Sequence, residues 1–140
     1  MLLLPMDPLF LAEELLNRHL STCLIATSSS EGEVNVAIMN SAQFCGEHEI
    51  EALHVAAERT VKNLRENPRA VFTIIVPDEA DALNTTGVRV WVDFLGEEAE
   101  GKDFERLAKG WQLFHAKPKG RLLFKVKRVE PLWRFSDADE

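Results

Sequence analysis

The 140-residue chain lacks the long apolar run that a membrane span or secretory signal needs: Met1-Leu2-Leu3-Leu4 is broken by Pro5 and Asp7, far short of the roughly 20 apolar residues that cross a bilayer. Cysteine is scarce. Cys23 and Cys45 are the two present, nowhere near a Cys-x-x-Cys spacing, and without an export signal they are expected to be reduced thiols of a cytoplasmic protein. His19, His48, His54 and His115 stand singly, with no His-x-x-x-His or Cys/His cluster, so no metal is assigned. Basic charge is in deficit. Lys and Arg total 16 against 23 Asp and Glu, a net charge of −7, which argues against a nucleic-acid surface. The basic run over residues 117–128 reads as the solvated face of a strand. The chain also has no Gly-x-Gly-x-x-Gly, no P-loop and no Gly-x-Ser-x-Gly elbow, which excludes Rossmann, P-loop and nucleophile-elbow chemistry at the motif level. The adjacent carboxylates Glu13-Glu14 and Glu97-Glu98 fall on surface-like stretches and read as solvated.

Hydrophobic residues make up 46% of the chain, ample for one core, and residues 1–140 are expected to form a single domain. Asp7 before Pro8 opens a helix over residues 7–20, with the cap followed by a proline at the first helical position. Alternation then predicts strands: 21–28 and 34–39 as a hairpin, burying Val34, Val36 and Ile38, followed by 50–55, 70–76, 88–99 and 121–133. Residues 59–67 read as a short helix and 102–116 as another, with Trp111 on an apolar face. Residues 77–86 read as a loop rich in Asp, Glu and Asn. Antiparallel strands in sequence, with helices inserted between them, point to a mainly β fold, a small closed barrel.

The segment Arg59-Thr60-Val61-Lys62-Asn63-Leu64-Arg65-Glu66-Asn67-Pro68-Arg69 is the most informative. Thr60 reads as an N-cap, Val61 and Leu64 as the buried face, and Pro68 as the stop. Arg59 then lies beside unpaired N–H donors at the positive end of the helix dipole, a combination that an anion such as phosphate completes. The competing reading pairs Arg59 with Glu58 or Glu66, or leaves it in water.

The ordered series Cys23-Leu24-Ile25-Ala26-Thr27, Glu31-Gly32-Glu33-Val34-Asn35-Val36-Ala37, Arg59-Thr60-x-x-Asn63-Leu64-x-x-Asn67-Pro68-Arg69 and Gly87-Val88-Arg89-Val90-Trp91-Val92 resembles the FMN-binding split-barrel family related to pyridoxamine 5′-phosphate oxidase, most closely its small FMN-binding branch. The resemblance covers about residues 21–132. It implies a six-stranded antiparallel Greek-key split barrel with helices at the N-terminus, after strand 3 and before the last strand. It also implies a homodimer with FMN in clefts between subunits. By position, Arg59 and Thr60 would hold the phosphate. Asn35, Val36, Ala37 and Ile38 would run beside the ribityl chain and ring edge, Asn40 and Ser41 are further candidates for the phosphate end, and Val55, Ala56 and Ala57 would pass near the ring. Trp91 is a stacking or interface candidate, and residues 131–135 a segment that reaches the partner's flavin. Small family members often carry Gly-Gly where this chain has Ala56-Ala57, and the added methyls restrict backbone angles. The substrate-binding segments of true pyridoxamine phosphate oxidases are not recognisable. The resemblance therefore implies an FMN-binding oxidoreductase or electron-transfer protein, without assigning a catalytic residue. The alternative is a non-catalytic dimer of the same fold that binds flavin, deazaflavin or another flat ligand.

Overall fold

Alternating burial shapes the central strands: Cys23, Ile25 and Thr27, then Ala70, Phe72 and Ile74, then Val88, Val90 and Val92 all turn inward, and period-2 apolar faces of this kind form a sheet with one side on a core. The computed structural model describes residues 7–18, 21–111 and 117–132. Its elements are α1 (Pro8–Asn17), β1 (Thr22–Ser28), β2 (Val34–Ile38), β3 (Gln43–Gly46), β4 (Glu49–His54), α2 (Glu58–Glu66), β5 (Arg69–Val76), a 3₁₀ turn (Ala82–Asn84), β6 (Thr86–Glu98), α3 (Lys102–Lys109) and β7 (Gly120–Pro131). The seven strands form one sheet in the order β2-β1-β5-β6-β7-β4-β3, antiparallel at every pairing.

The sheet curls into a barrel. Ser41, just beyond β2, accepts from the Leu53 N–H of β4 at 2.9 Å, so the two ends of the strand order are stitched together. The 13-residue β6 shifts register at Trp91/Val92 and Phe94/Gly96, bulges that bend a strand and increase its twist. Inside, Phe72 and Phe124 meet edge to face with centroids 5.0 Å apart. The first helix is capped as expected: the Asp7 carboxylate accepts from the Leu9 N–H at 3.2 Å, and Ala12 and Leu16 are buried. Among the described residues no helix is long and apolar enough to cross a membrane.

Several expectations need correction. The strands number seven, not six, because Gln43–Gly46 pairs with β4. Val34, Val36 and Ile38 are 78%, 62% and 67% exposed, the opposite of the expected burial; β2 is an edge strand, and its inward residues are Ala37 and, just beyond it, Met39. The 77–86 segment contains local order: Asp78 accepts from the N–H groups of Ala80 and Asp81, and Asp81 from that of Leu83. His19, Leu20, residues 112–116 and Trp133, Arg134 and Phe135 lie outside the described residues. Cys23 and Cys45 are free thiols, one buried and one exposed, and burial pushes the Cys23 thiol up to about 12.

The basic run is not simply solvated. Arg121 is 5% exposed and donates through Nε to the fully buried Glu51 at 2.8 Å. Glu51 also accepts from Arg106 at 2.6 and 3.0 Å and from Gln43 at 2.7 Å. Burial alone would raise the Glu51 pKa, but the Arg106, Gln43 and Arg121 donors outweigh it and hold the carboxyl below its ordinary value. A folded-state pKa below the unfolded one gives stability that is fully present above the unfolded value and is lost as pH falls through the folded value. Glu51→Ala takes the buried partner from Arg121 and leaves it the half-exposed Glu98, and is expected to cost about 3 kcal/mol in urea unfolding. The acid limb of the stability–pH curve should be shallower in the variant than in the native protein.

Candidate functional site

The site is built on α2. Val61 and Leu64, each 1% exposed, fasten the helix to the barrel. Asn67 leaves it in extended conformation (φ −139°, ψ 102°), as the following proline requires. The start differs from expectation: the N-cap is Ala57, which offers no side-chain acceptor. Thr60 is therefore not the cap. It lies within the first turn, 1% exposed, and its hydroxyl accepts from Asn35 Nδ2 at 3.4 Å. Among the described residues no side chain caps the first N–H groups of α2, which leaves the positive end of the dipole without a capping acceptor there.

Arg59 is exposed in this turn, and the two carboxylates beside it in sequence are engaged elsewhere. Glu58 takes the Lys119 ammonium and lies 3.5 Å from His54. Glu66 accepts from the Ser30 N–H and hydroxyl at 3.0 and 2.9 Å. Lys119 and Ser30 hold these carboxyls below the usual range. Among the described residues Arg59 has no ion-pair partner.

Two hollows adjoin this helix start. A groove of about 770 Å³ runs between α2 and the β1–β2 turn; Ser29, Ser30, Asn35, Arg59, Lys62 and Asn63 line it, together with Glu31, Glu33, Val34, Glu58 and Glu66. Asn63 is 5% exposed and donates to Thr27 at 3.1 Å, which fixes one wall. The second hollow, about 410 Å³ and mostly apolar, is lined by Ala37, Ile38, Met39, Asn40, Ser41, Leu53, Val55, Ala56, Ala57 and Trp111. β2 walls both: the extended stretch from Asn35 to Ile38 covers about 10 Å between the polar groove and the apolar hollow.

Asn35 and Arg59 thus come together in the groove, with the Thr60 hydroxyl buried behind them. Ala37, Ile38, Asn40, Ser41, Val55, Ala56 and Ala57 come together in the hollow. Asn40 and Ser41, which the resemblance made candidates for the phosphate end, line the apolar hollow and not the groove beside Arg59. In the hollow the Asn40 side-chain oxygen Oδ1 accepts from the Cys23 N–H at 2.8 Å, and the Ser41 hydroxyl accepts from the Leu53 N–H. Val36 and Trp91 line neither hollow; the Trp91 ring lies under the Arg128 guanidinium, 3.9 Å from the centroid. Ala57 sits at φ −111°, and among the described residues His48 is the one non-glycine with positive φ, so the Ala-Ala pair causes no backbone strain. Sequence reading missed Ser29, Ser30, Lys62 and Trp111 as lining residues. The signal for Lys62 was present, since it lies three residues from Arg59 and thus on the same helical face.

Beneath the groove a charged chain ties α2 to the barrel. His54, at the end of β4 and 4% exposed, places Nδ1 2.6 Å from Glu97 of β6, and the other Glu97 oxygen accepts from Arg65 at 2.8 Å. Glu97, expected to be solvated, is 14% exposed because it lies across Gly120, where a Cβ would come within 2.4 Å of its Oε2.

No protein-family model and no curated protein sequence matches the chain. Solved structures do. An FMN-binding protein from Syntrophomonas wolfei subsp. wolfei matches with a TM-score of 0.82 at 25% identity, over 89% of this chain and 86% of its own. A putative pyridoxamine 5′-phosphate oxidase from Lactobacillus delbrueckii matches with a TM-score of 0.62 at 14% identity, over 84% and 91% of the two chains. The heme storage protein HutZ from Vibrio cholerae matches at 0.60 and 16%, over 89% and 94%; at such identities the last two share the fold alone. The chain has the split-barrel fold of the FMN-binding, pyridoxamine 5′-phosphate oxidase-like proteins.

Because Glu97 needs the space above Gly120, Gly120→Ala is expected to cost about 1–3 kcal/mol, read as a lower urea midpoint. Nuclear magnetic resonance of the His54 ring should show the Glu97 hydrogen bond displaced.

Proposed function

We propose, taking the split barrel as premise, that the chain binds FMN and serves as an oxidoreductase or electron-transfer protein. The phosphate lies at the start of α2 and the isoalloxazine ring in the apolar hollow. The observation that carries this reading is Arg59: an exposed cation that has no ion-pair partner among the described residues, beside a helix start whose N-cap, Ala57, offers no side-chain acceptor. A phosphate meets both needs, accepting from the first-turn N–H groups and from the guanidinium. Lys62 lines the same groove and adds a second cation.

The rest of the site fits the remainder of the molecule. Asn35, steadied by Thr60, stands where ribityl hydroxyls would pass. Ala37, Ala56 and Ala57 are small enough to let a flat ring approach the backbone, and Trp111 lends an aromatic wall. The bound flavin supplies the electron or hydride transfer; the chain positions it and excludes water from one side. The likeness to the FMN-binding protein of S. wolfei supports this choice of ligand.

The working unit on this reading is a homodimer. Val34, Val36 and Ile38 form an exposed apolar row on an edge strand, a pattern that marks an interaction surface. Val34 and Ile38 also line the two hollows, so a partner seated on β2 would complete the cofactor cleft as well.

Two measurements check these statements. Arg59→Ala is expected to weaken FMN by about 1.5–3 kcal/mol, roughly 10- to 150-fold, in a fluorescence titration. Riboflavin, which has no phosphate, should be nearly unaffected. A native protein that stays colourless with added FMN contradicts the reading. Val36→Glu is expected to convert the dimer to monomer in sedimentation velocity; a native protein that is already monomeric removes the dimer from the account.

A further inference from the structure

We propose that His54 is a positioning residue for the phosphate cradle: its imidazolium bridges Glu97 of the barrel to Glu58 at the start of α2, and so makes the hold on phosphate, and on phosphate alone, depend on pH. The inference rests on the FMN reading.

The geometry at His54 has two sides. Nδ1 faces Glu97 Oε2 at 2.6 Å, so Nδ1 carries a proton and donates it to the carboxylate. Nε2 is buried with no hydrogen-bond partner among the described residues, and the group it faces is Glu58 Oε1 at 3.5 Å. In the neutral ring this Nε2 is a lone pair turned toward a carboxylate, two acceptors with no proton between them. Protonation places an N–H there and turns the approach into a charge-assisted hydrogen bond. Glu58 is the first residue of α2 and Arg59 the next, so the bond fastens the turn that presents the guanidinium and the free N–H groups.

The charged neighbours come from three elements. β6 brings Glu97, itself bound by Arg65 of α2. α2 brings Glu58 as well. The segment before β7 brings Lys119, whose ammonium shares Glu58 and whose N–H donates to the His54 carbonyl at 2.7 Å. Arg121 of β7 is turned away, to Glu51 and Glu98. With Lys119 on one side of Glu58 and His54 on the other, the ring's charge state decides whether the helix start is tied to the β7 side alone or to β4 as well.

The test is a pair of titrations, FMN and riboflavin, on the native protein, His54→Gln and Glu58→Gln, at intervals between about pH 5 and pH 8, where imidazoles change charge. Urea midpoints at each pH confirm that each protein is folded. The FMN phosphate gains its second charge near pH 6 and strengthens binding with rising pH in all three proteins, so the readout is the ratio of native to variant affinity. At the acid end the native protein is expected to bind FMN on the order of tenfold more tightly than His54→Gln, with the ratio falling toward one at the alkaline end. Riboflavin should bind both proteins equally throughout. Glu58→Gln, which lacks the carboxylate the bridge closes on, should give the same native-to-variant ratio as His54→Gln, falling toward one at the alkaline end. A native-to-variant ratio that is constant with pH, or riboflavin weakened in step with FMN, overturns the bridge while leaving the cofactor reading intact. A native protein that binds neither flavin overturns both.

Discussion

Glu58 and Glu66 flank the first and last turns of α2, and each is drawn away from Arg59 by a stronger local partner: Lys119 for Glu58, and the Ser30 N–H and hydroxyl for Glu66. The character of the site depends on this division of partners. Had either carboxylate closed on Arg59, the groove would hold a neutral pair and an uncapped helix end facing water. Because both are occupied, Arg59 lines the groove as an exposed cation in the turn whose N–H groups share its positive character.

The same contacts that occupy the carboxylates also hold the helix still. α2 is tied at its start through Glu58, at its middle through Asn63 to Thr27, and at its end through Arg65 to Glu97 and Glu66 to Ser30. A cradle whose donors are immobilised before the ligand arrives loses little entropy on binding. β2 adds the second constraint. Asn35 and Ala37 on one face line the two hollows, and on the other face Val34 and Ile38, which line them too, join Val36 in an exposed apolar row. The two hollows and the proposed subunit contact therefore share one five-residue strand.

Much of this was legible in the residues, and the failures have physical causes. Strict alternation located β1, β5, β6 and β7 because each has one face on the core. β3 escaped because Gln43–Gly46 is four residues long, with no apolar period to read. Alternation also reports that a strand has two faces and not which one is buried, so Val34, Val36 and Ile38 were assigned inward on an edge strand. The start of α2 was misplaced because threonine favours an N-cap, whereas tertiary pairing of Glu58 with Lys119 and burial of Thr60 carry the cap three residues further back. Arg59 was legible as an electrostatic oddity. The fate of its two candidate partners was not, since Lys119 and Ser30 lie far away in sequence. Trp111 read as core from its spacing, and the hollow it walls exists only once β2 and the 55–57 segment have come together.

The central claim is the identity of the molecule that belongs in the two hollows, and mass spectrometry of what the purified protein releases on denaturation, after saturation with an equimolar mixture of FMN, riboflavin, heme and deazaflavin cofactor and removal of unbound ligand, tests it most directly. The prediction is FMN as the dominant species, one molecule per chain. Release of heme or the deazaflavin in its place, or of riboflavin in equal amount to FMN, contradicts the assignment of a phosphate to Arg59 and a flavin to the hollow beside it.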